Sequence, residues 1–133
     1  MRLILERKTV LLQISRERFA DARVLLRQKR YNGAVYLGGY VIECLLKAAI
    51  CVQLRRDTLP GEYRTHELEP LLRSSGLEAG LNADQKIRIR FARINAWTVS
   101  IRYQGKRIDA PQAQEFLEAI KEVSQWILTN ISI

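Results

Sequence analysis

The sequence predicts an all-α protein: an antiparallel up-and-down bundle of four long helices plus one short helix, in a single domain over residues 1–133. Apolar residues recur at three- to five-residue steps through most of the chain, the period of a helix face. Loop signals are few, at "RYNG" (30–33), "DTLPGEYRT" (57–65) and "YQGKRIDAP" (103–111), and long stretches lie between them. With 133 residues, 47% apolar and 27% charged, the chain can bury one core without covalent staples and is too short for two domains.

The first helix is expected over 10–29. There Val10, Ile14, Phe19, Ala22, Leu25 and Leu26 share one side, and Arg16, Glu17, Arg23 and Arg27 point outward. Asn32 is the expected N-cap of the second helix, 33–53, which is apolar on nearly every side and therefore central to the bundle. Its length would span a bilayer. Glu43 and Lys47 sit in its second half, however, where each costs about 2.5–3.5 kcal/mol near a membrane centre, so no membrane association is expected. Gly33, Gly38 and Gly39 each weaken a helix by about 1 kcal/mol against alanine, which implies that another helix or a ligand approaches closely.

Thr65 is the expected cap of the short helix, "HELEPLLRSS", which Gly76 ends. Asn82 is the expected cap of the next, from Ala83 to about Ile101. Within it "KIRIRF" (86–91) alternates as a strand would. Ile87, Phe91, Ile94, Thr98 and Ile101 nevertheless continue one helix face past the alternation, and no second strand offers a partner. Asp109 as cap and Pro111 in the first turn open the last helix, which runs to about Asn130 with an apolar stripe of Phe116, Leu117, Ile120, Val123, Ile127 and Leu128.

Cys44 and Cys51, two turns apart on one helix, are roughly 10 Å apart by helix rise and cannot bridge each other. They read as buried thiols of an intracellular protein. With one histidine and no further cysteine, no metal site or cofactor is expected. The N-terminus carries Arg2, Glu6, Arg7 and Lys8 and lacks the apolar core of a signal peptide, so a cytoplasmic location is expected. The net charge of +8 is unevenly spread: seven basic residues and no acid lie between Lys86 and Arg107, whereas four acids and only Lys121 follow from Asp109 onward. A positive region of this kind attracts polyanions or an acidic partner.

"RYNGAVYLGGYVIECLLKA", preceded by "ADARVLLRQ" and followed by "THELEPLL" and by Trp97 to Arg102–Tyr103, resembles the HEPN family (higher eukaryotes and prokaryotes nucleotide-binding) over roughly residues 15–130. The resemblance implies a helical bundle, a homodimer, and nucleotide- or RNA-related duties. It also implies, for some members, a nucleotidyltransferase-type antitoxin as partner. Many members are metal-independent ribonucleases through an Arg-x(4–6)-His motif near the end of the penultimate long helix. Here Arg93 stands where that arginine is expected, with Asn95 beside it, but Thr98, Val99 and Ser100 occupy the histidine positions. The lone histidine, His66, lies elsewhere. The expectation is therefore a protein that binds RNA, a nucleotide or an acidic partner without the family's ribonuclease motif. The alternatives are a divergent ribonuclease drawing on Arg93, Asn95 and His66, and a homodimeric interaction module.

Two sets of residues are candidate sites. Lys86, Arg90, Arg93 and Trp97 fall on one stripe, joined by Arg88, Arg102, Lys106 and Arg107; together they could grip phosphates and stack a base, or be a solvated face with Trp97 in the core. Tyr36, Tyr40, Glu43 and Lys47 share a second stripe, with Glu43 and Lys47 in the favourable order for an ion pair. That stripe is either close packing or a polar groove. His66, beside Glu67 and Glu69 at a helix start, either caps and packs there or takes a catalytic or ligand role.

Overall fold

The computed structural model describes residues 6–105 and 107–131. Four long helices, α1 (Lys8–Arg27), α2 (Tyr31–Leu54), α5 (Gln85–Gln104) and α6 (Ala110–Asn130), are joined by two short ones, α3 (Leu68–Ser74) and α4 (Glu78–Ala83). A single 3-10 turn, Gly61–Tyr63, follows α2. The fold is all-α, as the periodicity requires, and "KIRIRF" is helical.

α2 is the axis. It packs against α1, α6, α5 and α3, and every residue from Val41 to Cys51 is buried. It is the one helix among the described residues long and apolar enough to cross a membrane, yet 78% of its apolar window is buried inside the protein. Phe116, Ile120, Val123 and Ile127 of α6 and Ile87, Phe91 and Ile94 of α5 complete the core around it. The paired glycines explain how two helices come so near. A Cβ on Gly38 would lie 2.9 Å from the Phe116 ring on α6, and one on Gly39 would lie 2.8 Å from the Thr98 hydroxyl on α5. Helices, not a ligand, use these gaps.

α1 and α2 form a hairpin closed by a Schellman turn. The Arg30 N–H donates to Leu25 O (2.9 Å) and the Lys29 N–H to Leu26 O (3.1 Å). Lys29 takes the left-handed position, φ +60°, that glycine normally fills. Beyond α2, the chain is tied back to the start of α1: Lys8 N–H donates to Asp57 O (2.7 Å) and Leu59 N–H to Glu6 O (2.8 Å). Asp109 closes a capping box with Gln112 at the start of α6, with Pro111 in the first turn, as its sequence foretells.

Several boundaries differ from expectation. Asn32 lies inside α2, whose N-cap is Arg30; its side-chain oxygen instead accepts from the Ile108 N–H at 2.9 Å, a long-range bond that replaces the local cap. Asn82 lies inside α4, an unexpected helix that Leu77 and Leu81, four apart and both buried, drive onto the core. Asp84 caps α5 in its place, accepting from Ile87 N–H at 3.2 Å. The first residue of α3 is Leu68, with Glu67 as its N-cap, so Thr65 accepts from the Glu67 N–H (3.2 Å) ahead of the helix and His66 stands outside it. Val10 and Leu128 are exposed. The buried line of α1 is Leu11, Ser15 and Ala22, whose small members let the α2 backbone come close.

Candidate functional site

Near its middle α2 carries two charges into the core. Glu43 is 1% exposed and Lys47 5%, and the Nζ of Lys47 lies 3.1 Å from a Glu43 carboxylate oxygen. Buried charges persist only when paired and hydrogen-bonded on several sides. Lys47 finds a second carboxylate at 3.3 Å in Glu6, held there by the tie to the α2–α3 loop. Arg64 lies 3.9 Å from the other Glu6 oxygen. Glu43 in turn meets His66, whose Nδ1 is 3.0 and 3.1 Å from its two oxygens. A chain of alternating charge thus runs from Arg64 through Glu6, Lys47 and Glu43 to an imidazole whose side chain is 70% exposed. With Nδ1–H donating to Glu43, the opposite nitrogen of His66, Nε2, is the ring atom left for a ligand.

The Tyr40 hydroxyl and the Cys44 thiol lie beside this chain and next to each other. Burial, reinforced by the neighbouring Cys44 and Glu43, pushes the Tyr40 phenol up to about 12. Burial and the Glu43 carboxylate push the Cys44 thiol up to about 12. Burial also raises the Cys51 thiol. Both cysteines are free and buried, and no cluster of three or more metal-ligating side chains forms among the described residues.

On its outer side His66 lines a cleft of about 280 Å³ between the 66–70 segment and α5. Arg102 closes it by donating from Nη1 to the His66 carbonyl at 3.3 Å. Asn95 donates to Glu69 at 3.2 Å across the cleft floor. Tyr103, 71% exposed, stands at the rim. Asn95 and Arg102 are seven residues apart, nearly two full turns of one helix face, so α5 presents them together.

The structure divides the candidate residues of the sequence differently from their linear order. His66, Asn95 and Arg102 come together, with Glu43 and Lys47 behind His66. Arg93 does not join them: it pairs with Glu115 of α6. Arg90 and Lys86 both pair with Glu122 of α6. Trp97 stacks on Phe116 with ring centroids 5.5 Å apart and planes 11° apart, which places it against the core. Arg88 is exposed. Arg107 is exposed in the loop before α6, and Lys106 lies outside the described residues. Tyr36 is 54% exposed. Glu6, Arg64 and Glu69 are partners that sequence reasoning missed, because each acts across a long chain separation that no local spacing encodes.

A family model, the HEPN domain, matches residues 9–131, nearly the whole chain. The chain belongs to the HEPN family. No curated protein matches it, and no solved structure does either. On α5 of this HEPN domain Thr98 is buried, with its hydroxyl donating to Ile94 O at 2.8 Å.

Proposed function

We propose that this HEPN protein binds RNA or a nucleotide in the cleft of His66, Asn95, Arg102 and Tyr103, without the Arg-x(4–6)-His ribonuclease motif of the family. The convergence of those four side chains on one cleft carries the reading. Their chemistry suits a nucleoside unit. Arg102 offers a charge-assisted donor to a phosphate, and Tyr103 offers an exposed ring for a base. Glu67 and Glu69, which also line the cleft, can accept from ribose hydroxyls or base amino groups. Lys86, Arg90 and Arg93 contribute less, because carboxylates of α6 already hold them.

The test is anisotropy of a labelled oligoribonucleotide across a salt series. Affinity should fall with a log–log slope of about −0.7 per phosphate contact, and Arg102→Ala should weaken it roughly tenfold. Salt-insensitive or absent binding would leave an interaction module. In the HEPN setting that module, like the binder, would act as a homodimer with a nucleotidyltransferase-type antitoxin or another acidic protein as partner, for which the +8 charge is suited.

One observation favours a second reading, a divergent ribonuclease. The Glu43 carboxylate fixes His66 through Nδ1, the arrangement that orients a general base. In this reading Nε2 would take the proton of a ribose 2′-hydroxyl as that oxygen attacks the adjacent phosphorus; the P–O5′ bond breaks, the 5′-oxygen departs with a proton from water, and a 2′,3′-cyclic phosphate remains. Cleavage of RNA in the presence of a chelator, abolished by His66→Gln, would establish it; intact RNA at high protein concentration would remove it.

A further inference from the structure

Away from the cleft, the elbow between α1 and α2 forms an open pocket of about 600 Å³. Its lining includes Lys29, Arg30, Arg107, Tyr31, Gly33 and Gly105, and no lining residue is acidic. Lys29, Arg30 and Arg107 form no ion pair among the described residues. The contrast with α5 is direct, since Lys86, Arg90 and Arg93 are each answered by a glutamate of α6. Asp109, the acid nearest to Arg107 in the chain, is committed to capping α6 through Gln112.

Three cations are held near one another here by specific backbone devices. The Schellman turn fixes Lys29 at φ +60° and turns the chain sharply into Arg30. A non-glycine residue in that region is disfavoured by roughly 1 kcal/mol, although glycine was open to this position. The bond from Ile108 N–H to Asn32 fastens the loop carrying Arg107 onto the start of α2. Like charges brought together without a counter-charge repel, and an anion relieves that repulsion.

We propose that this elbow is a phosphate site that takes a phosphomonoester dianion, such as the terminal phosphate of a nucleotide or of an RNA 5′ end. Lys29, Arg30 and Arg107 grip the phosphate oxygens, and the half-buried Tyr31 ring flanks what the phosphate carries. The amino end of α2, which no side chain caps, adds a smaller attraction of the same sign. The volume lies within the range of small-ligand sites. The proposal does not rest on the cleft, which lies at other residues and has mixed charge.

The experiment compares one oligoribonucleotide with a 5′-phosphate and with a 5′-hydroxyl, and titrates AMP against adenosine by NMR. The 5′-phosphate strand should bind roughly tenfold tighter, and AMP should bind where adenosine does not, on the scale of one or two charge-assisted hydrogen bonds. Arg30→Gln with Arg107→Gln should erase both advantages, whereas Arg23→Gln, an exposed α1 residue with the same charge change, should keep them. Lys29→Gly provides a control against a purely structural role: it suits φ +60°, so the melting temperature should hold or rise while phosphate affinity falls. An advantage for AMP alone assigns the site to free nucleotides, and one for the strand alone to RNA ends. Equal binding with and without phosphate, or an advantage that survives Arg30→Gln/Arg107→Gln, overturns the proposal. The 5′-hydroxyl strand reports separately on the cleft, so the two proposals can fail independently.

Discussion

Glu43 and Lys47 show how a side chain's surroundings settle its role. Four residues apart, they would form a weak surface pair worth a few tenths of a kcal/mol if exposed. Buried, they matter through the cost of separating them. Glu43→Ala leaves Lys47 with Glu6 alone and His66 without its anchor. It should destabilise the protein by about 3–5 kcal/mol in urea unfolding, whereas Glu43→Ala with Lys47→Met should recover much of the loss. If the single and double variants unfold alike, the pair is not coupled. Cys44 gives a pH prediction. Its thiol rises from an ordinary 9.0 to about 12 through burial first and the Glu43 charge second. The folded state therefore keeps a proton that the unfolded chain loses. That contribution is complete below pH 9 and disappears as pH rises toward 12. Cys44→Ala should flatten the alkaline fall in stability, and alkylation of the native thiol at pH 8 should be far slower than in urea.

At the scale of elements, helix boundaries follow whichever partner is nearer. Asn82 and Asp84 are both good caps by type. Leu77 and Leu81 draw the chain into α4 and hand the start of α5 to Asp84. Asp84→Ala should cost about 1 kcal/mol and Asn82→Ala only a few tenths; thermal unfolding of the two variants checks the order, and a reversed order would return the cap to Asn82. The glycine pair of α2 makes a parallel case. Its low helix propensity is legible in the sequence, but only the packing reveals that α6 and α5 fill the two gaps. Gly38→Ala should cost about 1–3 kcal/mol, because the Phe116 ring and Leu117 side chain lie inside van der Waals distance of the added methyl. A neutral Gly38→Ala would mean that α6 shifts freely.

For the whole molecule, the distribution of charge matters less than which charges are answered. The basic run from Lys86 to Arg107 is the most conspicuous charge feature of the sequence, and α6 answers three of its side chains, Lys86, Arg90 and Arg93, through Glu115 and Glu122. Arg90→Ala with Arg93→Ala should therefore change oligoribonucleotide affinity by no more than about twofold, against roughly tenfold for Arg102→Ala. A larger effect of the double variant would restore that stripe as the binding face. At the α1–α2 elbow, by contrast, the adjacent Lys29 and Arg30 meet Arg107 from far along the chain, and none of the three forms an ion pair among the described residues.

By itself the sequence determined the helical class, the central place of α2, the last helix with its cap, and the family, because a 3.6-residue period, proline and glycine signals and a long run of shared residues are local properties. Half of the candidate site was also legible, in that His66, Asn95, Glu43, Lys47 and Arg102 were singled out by type. Only the tertiary structure decided their grouping: it joined His66 to Glu43 across 23 residues and Arg102 to His66 across 36, and it turned Arg93 and Trp97 toward α6. Spacing along a helix fixes which side chains share a face, but the packing of neighbouring helices decides whether that face meets a carboxylate, a ring or water.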